Sequence, residues 1–165
     1  MNKTLNLSRD VDTGKFGYKD DAENWVIKPI FNVARDFYDG LALVELGGKW
    51  GYIRPNGDWA FDARFDDARS FVNGLAGVKI DGKWGYINTS GDVIIEPKYD
   101  YVGAFFDDYA IVELKSKRGF INRNGSPVGK IIYDYLEDFR EGKAVAELDN
   151  KWGYLDCKGE WHEEA

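Results

Sequence analysis

The sequence predicts an all-β fold: a tandem array of about five three-stranded antiparallel β-meander repeats, each 34 residues long. Three observations predict it. A six-residue motif recurs at a fixed spacing, glycines interrupt the stretches that could form long helices, and the apolar segments are short and bounded by turn residues. The motif reads GKWGYI at 48–53 and again at 82–87, with weaker copies at 14–19, 116–121 and 150–155. We therefore expect a single repeat domain over residues 1–165.

The spacing of the motif defines the repeats. Its glycine stands at every 34th residue, at Gly17, Gly51, Gly85, Gly119 and Gly153. All six tryptophans fall in two columns, one residue before this anchor glycine and eight residues after it. Columns filled in unit after unit are typical of repeats that stack to bury a shared core.

Helical repeats are excluded by the glycines. A period of 34 residues is also that of tetratricopeptide repeats, which need two helices of about a dozen residues in each unit. In this sequence a glycine stands at the anchor and, in four of the five units, another follows six residues later. Because a glycine inside a helix costs about 1 kcal/mol, no room remains for the first helix.

Each unit is predicted to contain three strands joined by tight turns. A first strand such as 41–46 leads through a two-residue turn, GG or DG, into the strand that carries the motif. A second turn, as at 90–91, leads to a third short strand such as 93–96. In the motif strand, we expect the tryptophan to be a large buried body and the glycine to allow a close approach of another backbone.

The segment that connects consecutive units is predicted to make a helical turn. Asp66, Asp100 and Asp134 occupy one column at its start, where aspartate is a favoured N-cap. Asp134 and Glu137 also have the spacing of a capping box.

The units are predicted to stack, because a three-stranded meander cannot bury its aromatic face alone. The first meander begins near residues 5–7, and the last ends near Trp161. We favour an open, solenoid-like array. A closed, propeller-like ring of five units is the alternative.

Residues with catalytic or metal-binding chemistry are few. His162 is the single histidine and Cys157 the single cysteine, so a catalytic triad, a cysteine nucleophile with its base and a histidine metal site are disfavoured. Pairs of carboxylates recur at similar positions of successive units, as solvated or capping residues would. We therefore expect no enzymatic activity, no metal and no cofactor.

The net charge limits the classes of partner. The chain carries a formal charge of −7 and has no basic stripe, which disfavours nucleic-acid binding. It has no apolar run long enough to span a membrane or to act as a signal peptide, so a cytoplasmic location is expected. An acidic surface favours a basic partner.

The motif and its spacing resemble the bacterial WG-repeat family, named for the Trp-Gly pair. The resemblance rests on GKWGYI at 48–53 and 82–87, EPKYD at 96–100 and GLALVEL at 40–46, and it extends over nearly the whole chain. It implies a β-rich interaction scaffold without catalytic residues. The sequence departs from the family pattern at Glu23, Asp108 and Arg118.

Together these features predict a non-enzymatic scaffold that binds another protein. One concrete version is a cytoplasmic immunity protein that blocks the nucleic-acid-facing surface of a bacterial toxin. The predicted contact residues lie where the repeat pattern breaks: Asp107, Asp108, Tyr109, Lys115, Lys117 and Arg118. The alternative function is a carbohydrate or cell-wall binding module, whose sugar-stacking rings would be Trp25, Trp59 and Trp161.

Overall fold

The computed structural model describes residues 4–164. All the regular secondary structure within these residues is β-strand. The strands form five antiparallel sheets that follow the chain order. Sheet 1 contains β1 (Asn6–Arg9), β2 (Phe16–Lys19) and β3 (Trp25–Phe31). Sheet 2 contains β4 (Val33–Tyr38), β5 (Leu41–Leu46), β6 (Lys49–Ile53) and β7 (Trp59–Phe65). Sheet 3 contains β8 (Asp67–Ala68), β9 (Leu75–Ile80), β10 (Lys83–Asn88) and β11 (Val93–Tyr99). Sheet 4 contains β12 (Tyr101–Val102), β13 (Tyr109–Leu114), β14 (Lys117–Asn122) and β15 (Pro127–Tyr133), and sheet 5 contains β16 (Tyr135–Leu136), β17 (Lys143–Leu148), β18 (Lys151–Asp156) and β19 (Trp161–Glu163).

The hairpin turns explain why the central strands of sheets 2 to 5 pair in register. Both residues of each two-residue turn have positive φ, as the mirror-image turns favoured in hairpins require. The pairs are Gly47–Gly48, Asp81–Gly82, Lys115–Ser116 and Asp149–Asn150, with φ between 50° and 83°. The predicted tight turns are therefore confirmed. In the fourth unit, however, two side chains that disfavour this conformation replace glycine.

The anchor glycines permit the close approach that the sequence predicted. A Cβ atom on Gly85 would lie 2.7 Å from the backbone nitrogen of Pro97, and one on Gly51 would lie 2.8 Å from the Cα of Ala63. The facing third strand is bulged at this point in sheets 1 to 4, so its backbone presses against the motif strand. The third strand is also longer than predicted: β11 runs to Tyr99 rather than ending at residue 96.

The prediction of a helical turn in the connector is wrong. The connector forms the short edge strands β8, β12 and β16 instead, so Asp66, Asp100 and Asp134 cap no helix, and Asp134 with Glu137 forms no capping box. Each aspartate accepts an ion-paired hydrogen bond from the lysine 17 residues earlier: Lys49 at 2.6 Å, Lys83 and Lys117. These bonds, the largest cause in each case, lower the pKa of the three carboxyls. In all three units, the aspartate of this column thus forms an ion pair that joins the connector to the motif strand.

The hydrophobic core is divided into four parts, one between each pair of consecutive sheets. We call these the first to fourth interfaces, counted from the N-terminal end. Strand β5 shows how one sheet serves two of them. Ala42 and Val44 point into the first interface, whereas Leu41 and Leu43 point into the second, and all four are buried. The sheets therefore form the open array that the sequence favoured, in which the most extensive contacts join the same or consecutive sheets.

A tyrosine in the motif joins each of the first three interfaces. The hydroxyl groups of Tyr18, Tyr52 and Tyr86 donate to the carbonyl oxygens of Arg35, Arg69 and Gly103, at 2.6, 2.6 and 2.8 Å. Each acceptor lies 17 residues further along the chain, in the connector of the next sheet or just after it. Burial raises the pKa of all three tyrosines. In the fourth interface Phe120 takes this place and stacks on Phe139, with ring centroids 4.4 Å apart.

Candidate functional site

The residues predicted to contact a partner do not form one site. Asp107 and Asp108 lie in the turn closed by the bridge between Phe106 and Tyr109, at one end of the β13–β14 hairpin. Lys115 and Lys117 lie at its other end, one six-residue strand away. At about 3.4 Å per residue, that strand separates the two groups by roughly 17 Å.

The two lysines make contacts that hold neighbouring repeat units together. Lys117 Nζ donates to Asp134 Oδ1, a bond that raises the pKa of the lysine, and the backbone N–H of Lys115 donates to Asp100 Oδ2 at 2.7 Å. Equivalent ion pairs hold the second and third units. Both lysines therefore connect the hairpin to the connectors on either side of it.

The remaining predicted residues lie beside three different hollows. Asp107 and Tyr109 line a hollow of about 210 Å³ in the fourth interface, where the exposed Cys157 also lies. Asp108 lines a surface hollow together with Arg123. Arg118 lines a third hollow, described below, and its Nε donates to Glu113 Oε2 at 3.2 Å.

The tryptophans proposed for sugar stacking mostly pack against the chain itself. Trp59 meets Phe31 edge-on at 6.1 Å in the first interface, and Trp161 lies 5.7 Å from the ring of Tyr133 in the fourth. The ammonium group of Lys19 lies 4.9 Å from the ring of Trp25. All three tryptophans are half-buried.

The other tryptophan column is less uniform than the sequence suggested. This column contains Trp50, Trp84, Arg118 and Trp152. Together with the flanking connector residues 33–35, 67–69, 101–103 and 135–137, we call it the strip. Trp84 is buried, as predicted, whereas Trp152 is 50% exposed, so the prediction of a buried tryptophan fails there. Trp152 is exposed because it lies on sheet 5, and among the described residues no further sheet follows to cover its ring.

In the third interface the strip is closed by an arginine. The guanidinium of Arg69 lies between Trp84 and Tyr101, 4.9 and 5.0 Å from the two ring centroids. Gly77 makes the space, since a Cβ there would lie 3.5 Å from Arg69 Cδ and 2.8 Å from Val102 Cγ2. Within the described residues, Arg69 Nε is a buried side-chain atom that lacks a hydrogen-bond partner, so stacking on two rings must offset its desolvation.

In the fourth interface the same position is empty. Gly103 replaces the arginine, Arg118 replaces the tryptophan, and Ile111 replaces the small glycine at the base. The result is a hollow of about 170 Å³, which we call the Gly103 hollow. It is lined by Tyr101, Gly103, Ala104, Phe106, Ile111, Arg118 and Asp138.

Two groups of exposed rings and carboxylates lie near this hollow; Glu137 and Asp138, which are adjacent in the chain, link them, and the charge of Arg118 acts on Tyr135. We call them together the aromatic–acidic patch: Phe106, Tyr135, Glu137, Asp138 and Trp152. Phe106 and Asp138 line two hollows together, the ring of Tyr135 lies 5.6 Å from that of Trp152, and the Tyr135 hydroxyl donates to Glu137 Oε1 at 2.8 Å. Local desolvation, the largest cause, raises the pKa of Asp138.

Cations cover many of the other rings in this chain, and this distinguishes the patch. Lysine or arginine groups lie within 6 Å of the rings of Phe16, Trp25, Phe61, Phe65, Trp84, Tyr99, Tyr101, Phe105 and Tyr154. Among the described residues, the exposed aromatic side chains that lack such a cation are Tyr38, Phe106, Tyr135 and Trp152. Three of these four belong to the patch.

One cluster of side chains has the composition of a metal site. The ligand atoms of Asp156, Glu160 and His162 lie within 4.8 Å of one another. Asp156 already accepts hydrogen bonds from the backbone N–H groups of Lys158 and Glu160, and it contacts His162 Nε2 at 3.1 Å. These bonds account for the cluster as part of the last hairpin turn.

Sequence reasoning missed most of the patch. It singled out Arg118 because that residue breaks a tryptophan column, but it did not compare the connector position occupied by Arg35, Arg69, Gly103 and Glu137. The change from arginine to glycine in that column was visible in the sequence. The sequence change alone does not predict a hollow beside Gly103. That prediction also requires knowing that the side chain of Arg69 lies between the rings of Trp84 and Tyr101.

Comparison with known families agrees with the repeat structure. The family model described as "WG containing repeat" matches residues 16–50, 50–84, 84–117 and 119–152. No curated protein matches the chain significantly. Among the described residues, no helix is long and apolar enough to cross a membrane.

Proposed function

We propose that this chain, which belongs to the WG-repeat family, is a non-enzymatic scaffold that binds a basic protein through the aromatic–acidic patch. The observation that carries the proposal is the set of exposed rings left without a cation. Phe106, Tyr135 and Trp152 are 57%, 36% and 50% exposed, whereas the exposed ring of Tyr101 has the guanidinium of Arg69 5.0 Å from its centroid. Lysine or arginine side chains of a partner could take these places.

The charges around the patch support the same partner chemistry. Glu137 and Asp138 belong to it, Arg140 acts on both Asp138 and Tyr135, and the nearby Arg118 is paired with Glu113. The chain as a whole carries a net charge of −7. Complementary charge accelerates association and selects against partners of the same sign. Exposed tyrosine and tryptophan are also the residue types that most often dominate binding energy at protein interfaces.

The immunity protein of a bacterial toxin remains a concrete version of this proposal. A toxin that acts on nucleic acid presents a basic surface, which an acidic protein can cover. In that case the captured partner is a basic protein that is toxic when expressed alone and harmless when this chain is expressed with it.

A capture experiment with matched variants tests the proposal. The immobilised chain is exposed to lysate at low and at high salt, and bound proteins are identified by mass spectrometry. A Tyr135→Ala/Trp152→Ala variant removes two rings of the patch. Tyr38→Ala is the control, because Tyr38 is 51% exposed and lacks a cation but lies in sheet 2.

The expected result is a basic protein captured at low salt by the wild type and by the control, and lost by the double variant. Capture of the same proteins by all three chains would overturn the proposal, and so would capture of none. If glycans quench tryptophan fluorescence where no protein binds, the carbohydrate alternative replaces it.

A further inference from the structure

We infer that the Gly103 hollow receives one arginine side chain of the partner protein. This inference rests on the proposed function and specifies its chemistry at one position. The third interface provides the internal precedent, because Arg69 fills the equivalent position between Trp84 and Tyr101. In the fourth interface the chain supplies a glycine there, and the position is open to the surface.

The equivalence is direct at three of the positions that line the hollow. Gly103, Ile111 and Arg118 line it, and they stand 34 residues after Arg69, Gly77 and Trp84. Gly103 has room for a side chain, since a Cβ there would lie 3.4 Å from its nearest neighbour, the carbonyl oxygen of Ile111. The hollow therefore adjoins the position that the Arg69 side chain occupies one unit earlier, although its walls differ: Ile111 replaces Gly77, and Arg118 replaces the ring of Trp84.

The walls of the hollow suit a guanidinium group. The rings of Tyr101 and Phe106 line it; Tyr101 already has the guanidinium of Arg69 5.0 Å from its centroid, whereas Phe106 is 57% exposed and lacks such a cation. The side chain of Ile111 occupies the floor of the hollow, where the third interface has Gly77. A bound guanidinium would therefore lie closer to the surface, beside Phe106. Arginine stacks on aromatic faces through its planar guanidinium, whereas the ammonium of lysine is a compact and strongly hydrated charge.

The charges in the hollow also favour a cation. The positive charge of Arg118 is compensated by Glu113, whose Oε2 accepts its Nε–H at 3.2 Å. Asp138, by contrast, has neither a hydrogen bond nor an ion pair from its side chain within the described residues, and it stands beside Glu137. Arg140 acts on Asp138 from a distance and Glu137 opposes it. A partner guanidinium could form a two-bond fork with the Asp138 carboxylate.

The probe for this inference is a capped arginine, N-acetyl-arginine amide, titrated into the isotope-labelled protein and followed by NMR. We expect saturable shifts in the amide signals of Gly103, Ile111 and Phe106. Capped lysine should bind at least several-fold more weakly, and capped citrulline, which keeps the shape but not the charge, should produce no saturable shift.

Two substitutions at one position make the test specific. Gly103→Arg supplies the missing side chain from the protein itself, and it should abolish the shifts while the spectrum remains that of a folded protein. Gly103→Ala is the control and should still bind the probe. Shifts that persist in Gly103→Arg, or that never saturate in the wild type, would overturn the inference.

The same variant separates this inference from the proposed function. If the wild type captures a basic partner and Gly103→Arg captures it equally well, the arginine assignment is wrong and the scaffold proposal stands. If capped arginine binds in the Gly103 hollow but no basic protein is captured, the proposed function is wrong and the chemistry of the hollow stands. Loss of both interactions in Gly103→Arg supports the two together.

Discussion

The third and fourth interfaces have the same framework and differ along the strip. Both contain the anchor glycine, the lysine–aspartate ion pair and a phenylalanine from the following connector. The third interface is closed by Arg69 over Gly77, whereas the fourth leaves a hollow of about 170 Å³ beside Gly103. The comparison teaches that residues along the strip differ between two interfaces that share the same packing framework, and that the difference leaves a hollow in the fourth.

The largest expected effect on the free energy of unfolding is the difference between substituting an anchor glycine, Gly85, and substituting a glycine of the strip, Gly103. In Gly85→Ala, the new methyl group would lie 2.7 Å from the backbone nitrogen of Pro97, so strands must separate. We expect the free energy of unfolding to fall by about 3 kcal/mol. Gly103→Ala, whose methyl group meets nothing closer than 3.4 Å, should change it by less than about 0.5 kcal/mol. Denaturant unfolding measures both, and equal losses would contradict the distinction.

Alkaline pH should weaken the third interface through Tyr86. Burial raises the pKa of this tyrosine, so the folded protein keeps a proton that the unfolded chain releases above about pH 10. Its contribution to stability is complete below that pH and is lost as the pH rises, by at most about 1.4 kcal/mol for each pH unit. Urea midpoints from about pH 8 to about pH 11 measure the slope. The slope should be shallower in Tyr86→Phe, and an unchanged slope would show that Tyr86 is not responsible.

At neutral pH a single hydroxyl group distinguishes the two interfaces. Tyr86→Phe removes the donor to the Gly103 carbonyl oxygen, and we expect a loss of about 1 kcal/mol. The converse change, Phe120→Tyr, introduces a hydroxyl at the equivalent position of the fourth interface. There we expect a gain of less than about 1 kcal/mol. Thermal and urea unfolding check both variants. A loss in Phe120→Tyr would mean that the stacking of Phe120 on Phe139 does not tolerate the hydroxyl.

The smallest expected effect concerns the hairpin turns of the two units. Asp81–Gly82 has a glycine at the second position, with φ of 80°, whereas Ser116 holds a φ of 63° in the fourth unit. Because left-handed backbone costs a residue with a side chain, Ser116→Gly should stabilise the protein by about 0.5–1 kcal/mol. Gly82→Ser is the matched reverse change and should destabilise it. Opposite signs in urea unfolding confirm the argument, and equal signs would refute it.

The sequence predicted the framework well because the framework repeats. The period of the anchor glycines, the alternation in 41–46 and the two-residue turns each depend on local chemistry that recurs in several units. The connector was mispredicted because aspartate favours both helix N-caps and turns. What distinguishes them here is Lys49 or its equivalent, which lies 17 residues earlier and on another strand.

The candidate site was harder to predict because it depends on contacts between units. Arg118 was noticed as a break in the pattern and Asp107 as a neighbour of the break at Asp108, and both line hollows in the fourth interface. The importance of Gly103 depends on where the side chain of Arg69 lies in a different interface. Trp152 was expected to be buried like Trp84, because a single column gives no sign of which sheet ends the stack.

The division of the core into four separate interfaces also determines how the molecule would respond to mechanical load. Within residues 4–164, each buried cluster joins two neighbouring sheets, and no single cluster contains side chains from all five. Under tension applied at its two ends, the chain can therefore lose an outer sheet while the others keep their packing. At about 3.5 Å per residue, each 34-residue unit would lengthen the tether by roughly 120 Å. We therefore expect the repeats to unfold one after another under force, whereas a domain with one continuous core unfolds in a single cooperative event.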